Sequence, residues 1–416
     1  MNELVIRPCG ALRGSVSVGG SKNAALPILA ATLLADGPSL IGNLPAIRDV
    51  ELALRILENM GCSVERIDSA TYRIDPRHAA PCDTPDPLTA KMRASVYFLG
   101  ACLGRFGRGC VCRPGGCDFG GRPIDQHIKA FSSLGARVLL SEDAVSVSAP
   151  RLTGGTVRFD IVSVGATVNA ILAAVCAEGE TTLLGTACEP HIGDLIGFLN
   201  RAGADIKTFA CGSRIRIRGV KRLHGCNYAV IPDMIEAGTY LLAGAATRGA
   251  VRVRGISPEE LSALTHKLAE MGADVDEEEG SVSVFAPTRL FGSRIVTGPY
   301  PAFPTDLHPQ MAALMCTALG RSHVREDVWR HRFRYMEELS KMGATVSVSE
   351  NTADILGGTL SGASVTAPDL RGGAALLIAA CAAEGESRLG GVEYIERGYE
   401  NIVGKFRSLG ADITPL

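Results

Sequence analysis

The chain has 416 residues, too many for one ordinary hydrophobic core, so two or three domains are expected. Its 42 Lys+Arg nearly balance 44 Asp+Glu and aromatics make up 5%, which argues against a general nucleic-acid surface or a stacking platform for single strands, though not against a local basic pocket. The 13 cysteines are scattered without framework spacing and read as reduced thiols of a cytoplasmic protein; MNELVIRPCG has no signal pattern, and apolar stretches such as Ala24–Ala35 are too short to span a bilayer, so no membrane is expected.

In chain order, Glu3–Pro8 (ELVIRP) and Leu12–Val18 read as strands. Gly19-Gly20-Ser21-Lys22-Asn23-Ala24 then opens a helix. Glycines ahead of Ser and Lys at a helix start read either as an anion site or as an ordinary Ser N-cap with a solvated Lys; Walker spacing is absent. The helix runs into Gly37 and a short strand, SLIGNL, follows. Asp49–Met60 carries apolar residues at three- and four-residue spacing and predicts a second helix, ending at Gly61. Two alternating strands close the unit, as Ala136–Leu140 and Ala144–Ser148 do in the next one.

This β-α-β-α-β-β unit occurs six times. A glycine between second helix and closing strands falls at Gly61, Gly135, Gly203, Gly272, Gly343 and Gly410, at spacings of 74, 68, 69, 71 and 67 residues. A glycine ending the first helix keeps the same phase at Gly37, Gly109, Gly179, Gly249, Gly320 and Gly385, where positive φ is expected. A Leu-x-Gly mark before a strand falls at Leu12, Leu152, Leu223, Leu290 and Leu360. The sixth unit stops at Leu416 without its last strands, and the first 20 residues supply what it lacks. Two three-unit domains follow: residues 21–229, and residues 230–416 with 1–20, joined by crossovers near residues 20 and 230, with a cleft expected between them.

Residues that break the repeat are candidates for function. Arg113–Asp125 (RPGGCDFGGRPID) has four glycines in seven positions and a thiol, Cys117, between two arginines, which favours reactivity over an incidental cysteine in a turn. A zinc site of Cys110, Cys112 and Cys117 is the weaker reading, because no second ligand pair has structural-zinc spacing. Arg93 (KMRAS) sits where a helix should begin. Asp306 lies in the proline-dense Pro299–Gln310, just before a helix, where Asp is commonly an N-cap. Arg371 follows Pro368-Asp369-Leu370, and Arg397 lies in YIERGY. Each reads alone as a surface cation or cap. Together Lys22, Arg93, Arg122, Arg371 and Arg397 hold comparable phases near helix starts, which suits a small, multiply charged anion.

GGSKNAALP (Gly19–Pro27), MRAS (Met92–Ser95), RPGGC…GRPID (Arg113–Asp125), SVGAT (Ser163–Thr167), FPTD (Phe303–Asp306), DLR (Asp369–Arg371) and ERGYE (Glu396–Glu400) resemble the enolpyruvyl transferase family over essentially the full chain. The likeness is to its branch of UDP-N-acetylglucosamine 1-carboxyvinyltransferases, which begin peptidoglycan synthesis and so serve cell-wall biogenesis, cell shape and division. The resemblance implies two inside-out α/β barrel domains of three units each. It also implies transfer of enolpyruvyl from phosphoenolpyruvate to the 3′-hydroxyl of UDP-N-acetylglucosamine by addition and elimination, with phosphate released and no cofactor or metal. Cys117 matches the family's proton donor, the thiol that fosfomycin alkylates, and Asp306 matches its base. Lys22, Asn23, Arg122, Arg371 and Arg397 match phosphoenolpyruvate-binding positions, with Lys22 and Arg397 also counted as catalytic. Asn23, Arg93, Arg122, Pro123, Ile124, Asp125, Gln126, Ser163, Val164, Gly165, Asp306 and Val328 match nucleotide-sugar positions. Ile161 and Met234 depart from the family pattern, the former from Lys or Pro and the latter from a basic residue. Transfer to shikimate 3-phosphate is the same-chemistry alternative, disfavoured by the cysteine loop; a silent UDP-sugar-binding paralogue is the other, disfavoured by the presence of Cys117, Lys22 and Asp306.

Overall fold

A computed structural model describes residues 3–81, 85–113 and 123–416. The chain is a mixed α/β protein that divides into two compact units, residues 20–231 and residues 1–19 with 232–416. Each has its own apolar core, one drawn from residues between Ala24 and Val230, the other from Leu4–Val16 with residues between Ile235 and Ile413.

Both units are built inside out, with helices at the centre and small sheets around them. In the unit of residues 20–231 the helices Lys22–Ala31, Tyr97–Phe106 and Val164–Ala174 are buried over most of their circumference. In the other unit Met234–Ala246, His308–Thr317 and Leu370–Ala382 are buried in the same way. A helix apolar on all sides has no solvent face to present, and each Leu or Ile fully buried contributes about 1.5–3 kcal/mol, so such helices pack against one another. The apolar stretch Ala24–Ala35 is thus core, not membrane; among the described residues no helix is long and apolar enough to cross one. The second helix of each repeat, such as Arg48–Asn59 or Arg334–Lys341, is amphipathic and lies on the outside.

The sheets repeat one order. Arg294–Val296 runs parallel to Arg321–Arg325, which pairs antiparallel with Thr352–Leu356, which pairs antiparallel with Thr345–Ser349. The chain termini complete this order. Glu3–Arg7 lies antiparallel between Ser387–Gly390 and Asp412–Pro415, in the place where the sixth repeat runs out of chain. Arg13–Ser17 runs parallel to Ala250–Arg254, and Asn227–Ala229 runs parallel to Ser39–Gly42. The sheet on Arg108–Cys112 has three strands among the described residues, and it belongs to the repeat whose sequence lacks the Leu-x-Gly mark.

The glycines at the end of the second helix all have positive φ, from 84° at Gly343 to 102° at Gly203. The earlier series divides. Gly179, Gly320 and Gly385 have positive φ, but Gly37, Gly109 and Gly249 do not. At two of these the reason for glycine is space: an added Cβ would stand 2.5 Å from Cys102 Cβ at Gly109 and 1.9 Å from the Leu12 carbonyl oxygen at Gly249. The left-handed cap of Tyr97–Phe106 is Gly107 instead.

Candidate active site

In the unit of residues 20–231, Ser21 precedes the helix Lys22–Ala31 but its side chain makes no cap bond. Lys22 is not solvated: its Nζ lies 2.9 Å from Asp49 Oδ2, with the side chains 13% and 3% exposed. Asp49 comes from the first turn of Arg48–Asn59, so an acid of the second helix fixes the ammonium at the start of the first. Asn23 follows, half-buried. Gly20 is required by packing, since an added Cβ would fall 1.7 Å from the Asn43 carbonyl oxygen.

Two further helix starts are tied together in this unit. Ser163 caps Val164–Ala174, its Oγ accepting from the Ala166 N–H at 3.3 Å, so the Ser163-Val164-Gly165 turn forms the positive end of a helix dipole. Gln126, on Asp125–Ser133, donates to Asp160 Oδ2 at 3.2 Å and accepts from the Asp160 N–H at 3.0 Å, fixing the segment that leads to Ser163. The next residue, His127, is buried against the same turn: a Cβ on Gly165 would stand 2.9 Å from its Cε1. Asn169 Oδ1 accepts from the Gly100 N–H, so its amide donates to His127 Nδ1 at 2.8 Å and the ring proton sits on Nε2. Arg93 opens the 3₁₀ turn Arg93–Val96 and is half-buried. Burial first, and the Arg93 charge second, push His127 down to about 3. Pro123 and Asp125 are exposed and Ile124 is half-buried.

This histidine has a consequence for stability. It stays neutral in the folded chain while the unfolded chain takes up a proton below about 6.5. Its contribution is present above pH 6.5 and is lost as the pH falls toward 3, at about 1.4 kcal/mol per pH unit. His127→Gln should reduce the slope of unfolding free energy against pH by about that amount between pH 6 and 4. Urea melts at stepped pH measure it, and an unchanged slope excludes the buried neutral ring.

In the unit of residues 1–19 and 232–416, Asp306 is not the N-cap of the following helix. Leu307 holds that position in front of His308–Thr317. Asp306 instead receives two buried arginines. Arg332 Nη2 donates to Oδ1 at 2.9 Å, and Arg371 Nη2 and Nε donate to Oδ2 at 3.2 and 3.3 Å. The arginine side chains are 3% and 4% exposed and that of Asp306 is 28% exposed. Arg371 is the second residue of Leu370–Ala382, whose cap Asp369 accepts from the Arg371 and Gly372 N–H groups at 3.0 Å each. Its guanidinium carbon lies 5.3 Å from the centre of the Tyr399 ring, and its buried Nη1 has no hydrogen-bond partner among the described residues. Buried donors are rarely left so, and this one suits an anion. Arg397 is half-buried in the turn after Val392–Ile395.

A buried carboxylate is tied to the turn that carries Asp306. Glu326 accepts from Thr305 Oγ1, His308 Nδ1 and the backbone N–H groups of Val328 and Trp329, each at 2.9 Å. Burial alone would raise it, but the His308 hydrogen bond and the other donors prevail and hold it at about 2. His308 is fully buried, which keeps it neutral; Nδ1–H donates to Glu326 and Nε2 accepts from the Tyr335 hydroxyl at 2.8 Å.

The candidate residues therefore divide between the units. Asp306 and Arg371 touch, while Lys22, Arg93, Gln126 and Ser163–Gly165 belong to the other unit. Cys117 and Arg122 lie outside the described residues. Arg332, Glu326, Asp49 and His127 were not singled out from sequence: in EDVWRHRFR and DVELALRILENM the first three look like ordinary charges on a loop and a helix, and in DQHIKAF the histidine looks like an ordinary helix residue. Ile161 is 60% exposed, and Met234 opens its helix behind the cap Asp233. Cys110 and Cys112 share a face of Arg108–Cys112, and among the described residues no His, Cys, Asp or Glu cluster is arranged to hold a metal.

Residues 6–406 match the family of EPSP synthase (3-phosphoshikimate 1-carboxyvinyltransferase). A UDP-N-acetylglucosamine 1-carboxyvinyltransferase of Clostridium botulinum is 49% identical over 100% of both chains. One from Clostridium acetobutylicum, the second of that name, is 48% identical over 99% of each. Among solved structures, the enolpyruvyl transferase NikO from Streptomyces tendae superposes with a TM-score of 0.89 at 27% identity, covering 99% of this chain and 98% of that one. EPSP synthase from Acinetobacter baumannii shares the fold, with a TM-score of 0.76 at 19% identity over 100% of both chains.

Proposed function

The chain belongs to the EPSP synthase family of enolpyruvyl transferases, and from that membership we propose that it transfers the enolpyruvyl group of phosphoenolpyruvate to the 3′-hydroxyl of UDP-N-acetylglucosamine, releasing phosphate. The observation that carries the choice of acceptor is the full-length likeness to relatives named for that acceptor. In this reading the enzyme acts in the cytoplasm on two small molecules and supplies peptidoglycan synthesis. Its two domains are the two compact units, joined by the crossovers near residues 20 and 230.

The chemistry assigns a task to each residue. The donor carries several negative charges, which Lys22, Arg122, Arg371 and Arg397 neutralise, with Asn23 beside them. Arg371 suits this task, being fully ionised, buried and in possession of a spare N–H on Nη1. The Cys117 thiol gives its proton to C3 of phosphoenolpyruvate, and positive charge develops at C2. Asp306 takes the proton of the 3′-hydroxyl as its oxygen bonds to C2, forming a tetrahedral, phosphate-bearing intermediate. Return of a C3 proton to the Cys117 thiolate and departure of phosphate from C2 then restore the double bond. Two guanidinium groups hold both oxygens of the Asp306 carboxylate and so fix its orientation toward that proton. Arg93, residues 123–126 (Pro123, Ile124, Asp125, Gln126), the Ser163-Val164-Gly165 helix start and Val328 hold the nucleotide sugar, a diphosphate suiting a helix N-terminus.

Phosphate release from phosphoenolpyruvate with UDP-N-acetylglucosamine, with shikimate 3-phosphate and with no acceptor tests the reading. Release only with the UDP-sugar is expected. Release with shikimate 3-phosphate moves the chain to the other acceptor of its family, and release with neither makes it a silent paralogue. Arg397→Ala should raise KM for phosphoenolpyruvate about tenfold or more, the loss expected when a charge-assisted contact to an anion goes. An unchanged KM removes Arg397 from the anion site.

A further inference from the structure

Glu326 is the most heavily engaged carboxylate near Asp306, and the transfer reaction leaves it without a task. Its side chain is fully buried. Each oxygen takes two donors, Thr305 Oγ1 and His308 Nδ1 on one, the Val328 and Trp329 N–H groups on the other. Those donors come from two segments that sequence alone does not join. Thr305 and His308 flank Asp306 in the turn before a buried helix, and Val328 and Trp329 begin the stretch that returns through Arg332, the second grip on Asp306. His308 is locked from behind, its ring 4.9 Å from that of Phe333 and its Nε2 bonded to Tyr335. All of these groups lie within the one compact unit.

We propose that Glu326 is a positioning residue for the transfer reaction, holding the Asp306 turn and the Val328 backbone in a single arrangement. This rests on the reading in which Asp306 is the base and Val328 meets the nucleotide sugar. The physical reason is geometric. A base must stand within hydrogen-bond reach of the hydroxyl it deprotonates, and a displacement near 1 Å costs about 100-fold in rate. A carboxylate with all four acceptor positions filled from two segments leaves them little freedom to move apart. The side chains of Glu326 and His308 are fully buried, so water reaches the place of a lost acceptor poorly and its removal is expensive. Glu326 touches neither substrate in this arrangement; it acts through Asp306 and Val328.

Steady-state kinetics of Glu326→Ala, Glu326→Gln and Thr305→Val, scaled to folded protein, test the proposal. Glu326→Ala removes all four acceptors and should lower kcat about 10- to 100-fold and raise KM for UDP-N-acetylglucosamine, while KM for phosphoenolpyruvate stays within about threefold. Glu326→Gln should recover most of the loss. Its amide oxygen still takes both backbone N–H groups, and the Thr305 hydroxyl and neutral His308 can turn to accept from its NH₂. If the alanine variant does not fold, Thr305→Val, which cuts one tie to the turn, should still lower kcat about three- to tenfold with KM for phosphoenolpyruvate unmoved. Wild-type kcat and KM in the folded variants overturn the proposal. So does a glutamine variant no better than alanine, or a parallel rise of both KM values, which marks general loosening. Wild-type protein inactive with the UDP-sugar overturns the functional reading instead, and that result is visible before any variant is made.

Discussion

Asp306→Asn is expected to lower kcat about 10²- to 10⁴-fold, the range for loss of a positioned general base. The variant keeps the shape of the side chain and one acceptor oxygen, so binding of either substrate should change less than turnover. It also removes the charge between two guanidinium groups whose side chains are 3% and 4% exposed. Breaking a wholly buried ion pair costs about 3–5 kcal/mol; Asp306 is 28% exposed, and water there should reduce the cost to about 1–3 kcal/mol. Urea melts and steady-state kinetics separate the two effects. A kcat within about threefold of wild type in folded protein removes Asp306 as the base.

Cys117→Ala is expected to remove turnover, by about 10²- to 10⁴-fold or more, while leaving melting unchanged. Alkene carbon is a poor base, so C3 must receive its proton from an acid placed against it; without that transfer C2 does not become electrophilic and the 3′-hydroxyl has nothing to attack. In the sequence the thiol stands between Arg113 and Arg122, in a glycine-rich segment unlike any other repeat. Mass spectrometry after fosfomycin treatment gives an independent readout: wild type should gain one adduct and the variant none at that peptide. Full activity of the alanine variant at neutral pH excludes the thiol as the acid.

Much of the scaffold was legible because it obeys local rules. Phased glycines at Gly61, Gly135, Gly203, Gly272, Gly343 and Gly410 all take positive φ, which a side chain disfavours. The likeness of ELVIRP to the closing strands of other units announced a strand, and Glu3–Arg7 fills the gap in the last sheet, with Leu4, Val5 and Ile6 all buried. Gly37, Gly109 and Gly249 carried the same signal without the positive φ. At Gly109 and Gly249 the glycine answers to a neighbour's atoms, and those neighbours are placed by tertiary packing.

Asp306 and Lys22 mark the boundary most clearly. Sequence alone placed both at helix starts and left each with two readings, cap or site for the aspartate and solvated or functional for the lysine. The partners that decide between them lie far along the chain: Arg332 is 26 and Arg371 65 residues from Asp306, and Asp49 belongs to the next helix after Lys22. The sequence by itself determined the six-fold repeat, its order of helices and strands and the residues that break the pattern, since periodicity and backbone preference act over a few residues. Only the tertiary structure decided which charges are buried together, because desolvation and hydrogen-bond geometry depend on segments that folding alone brings into contact.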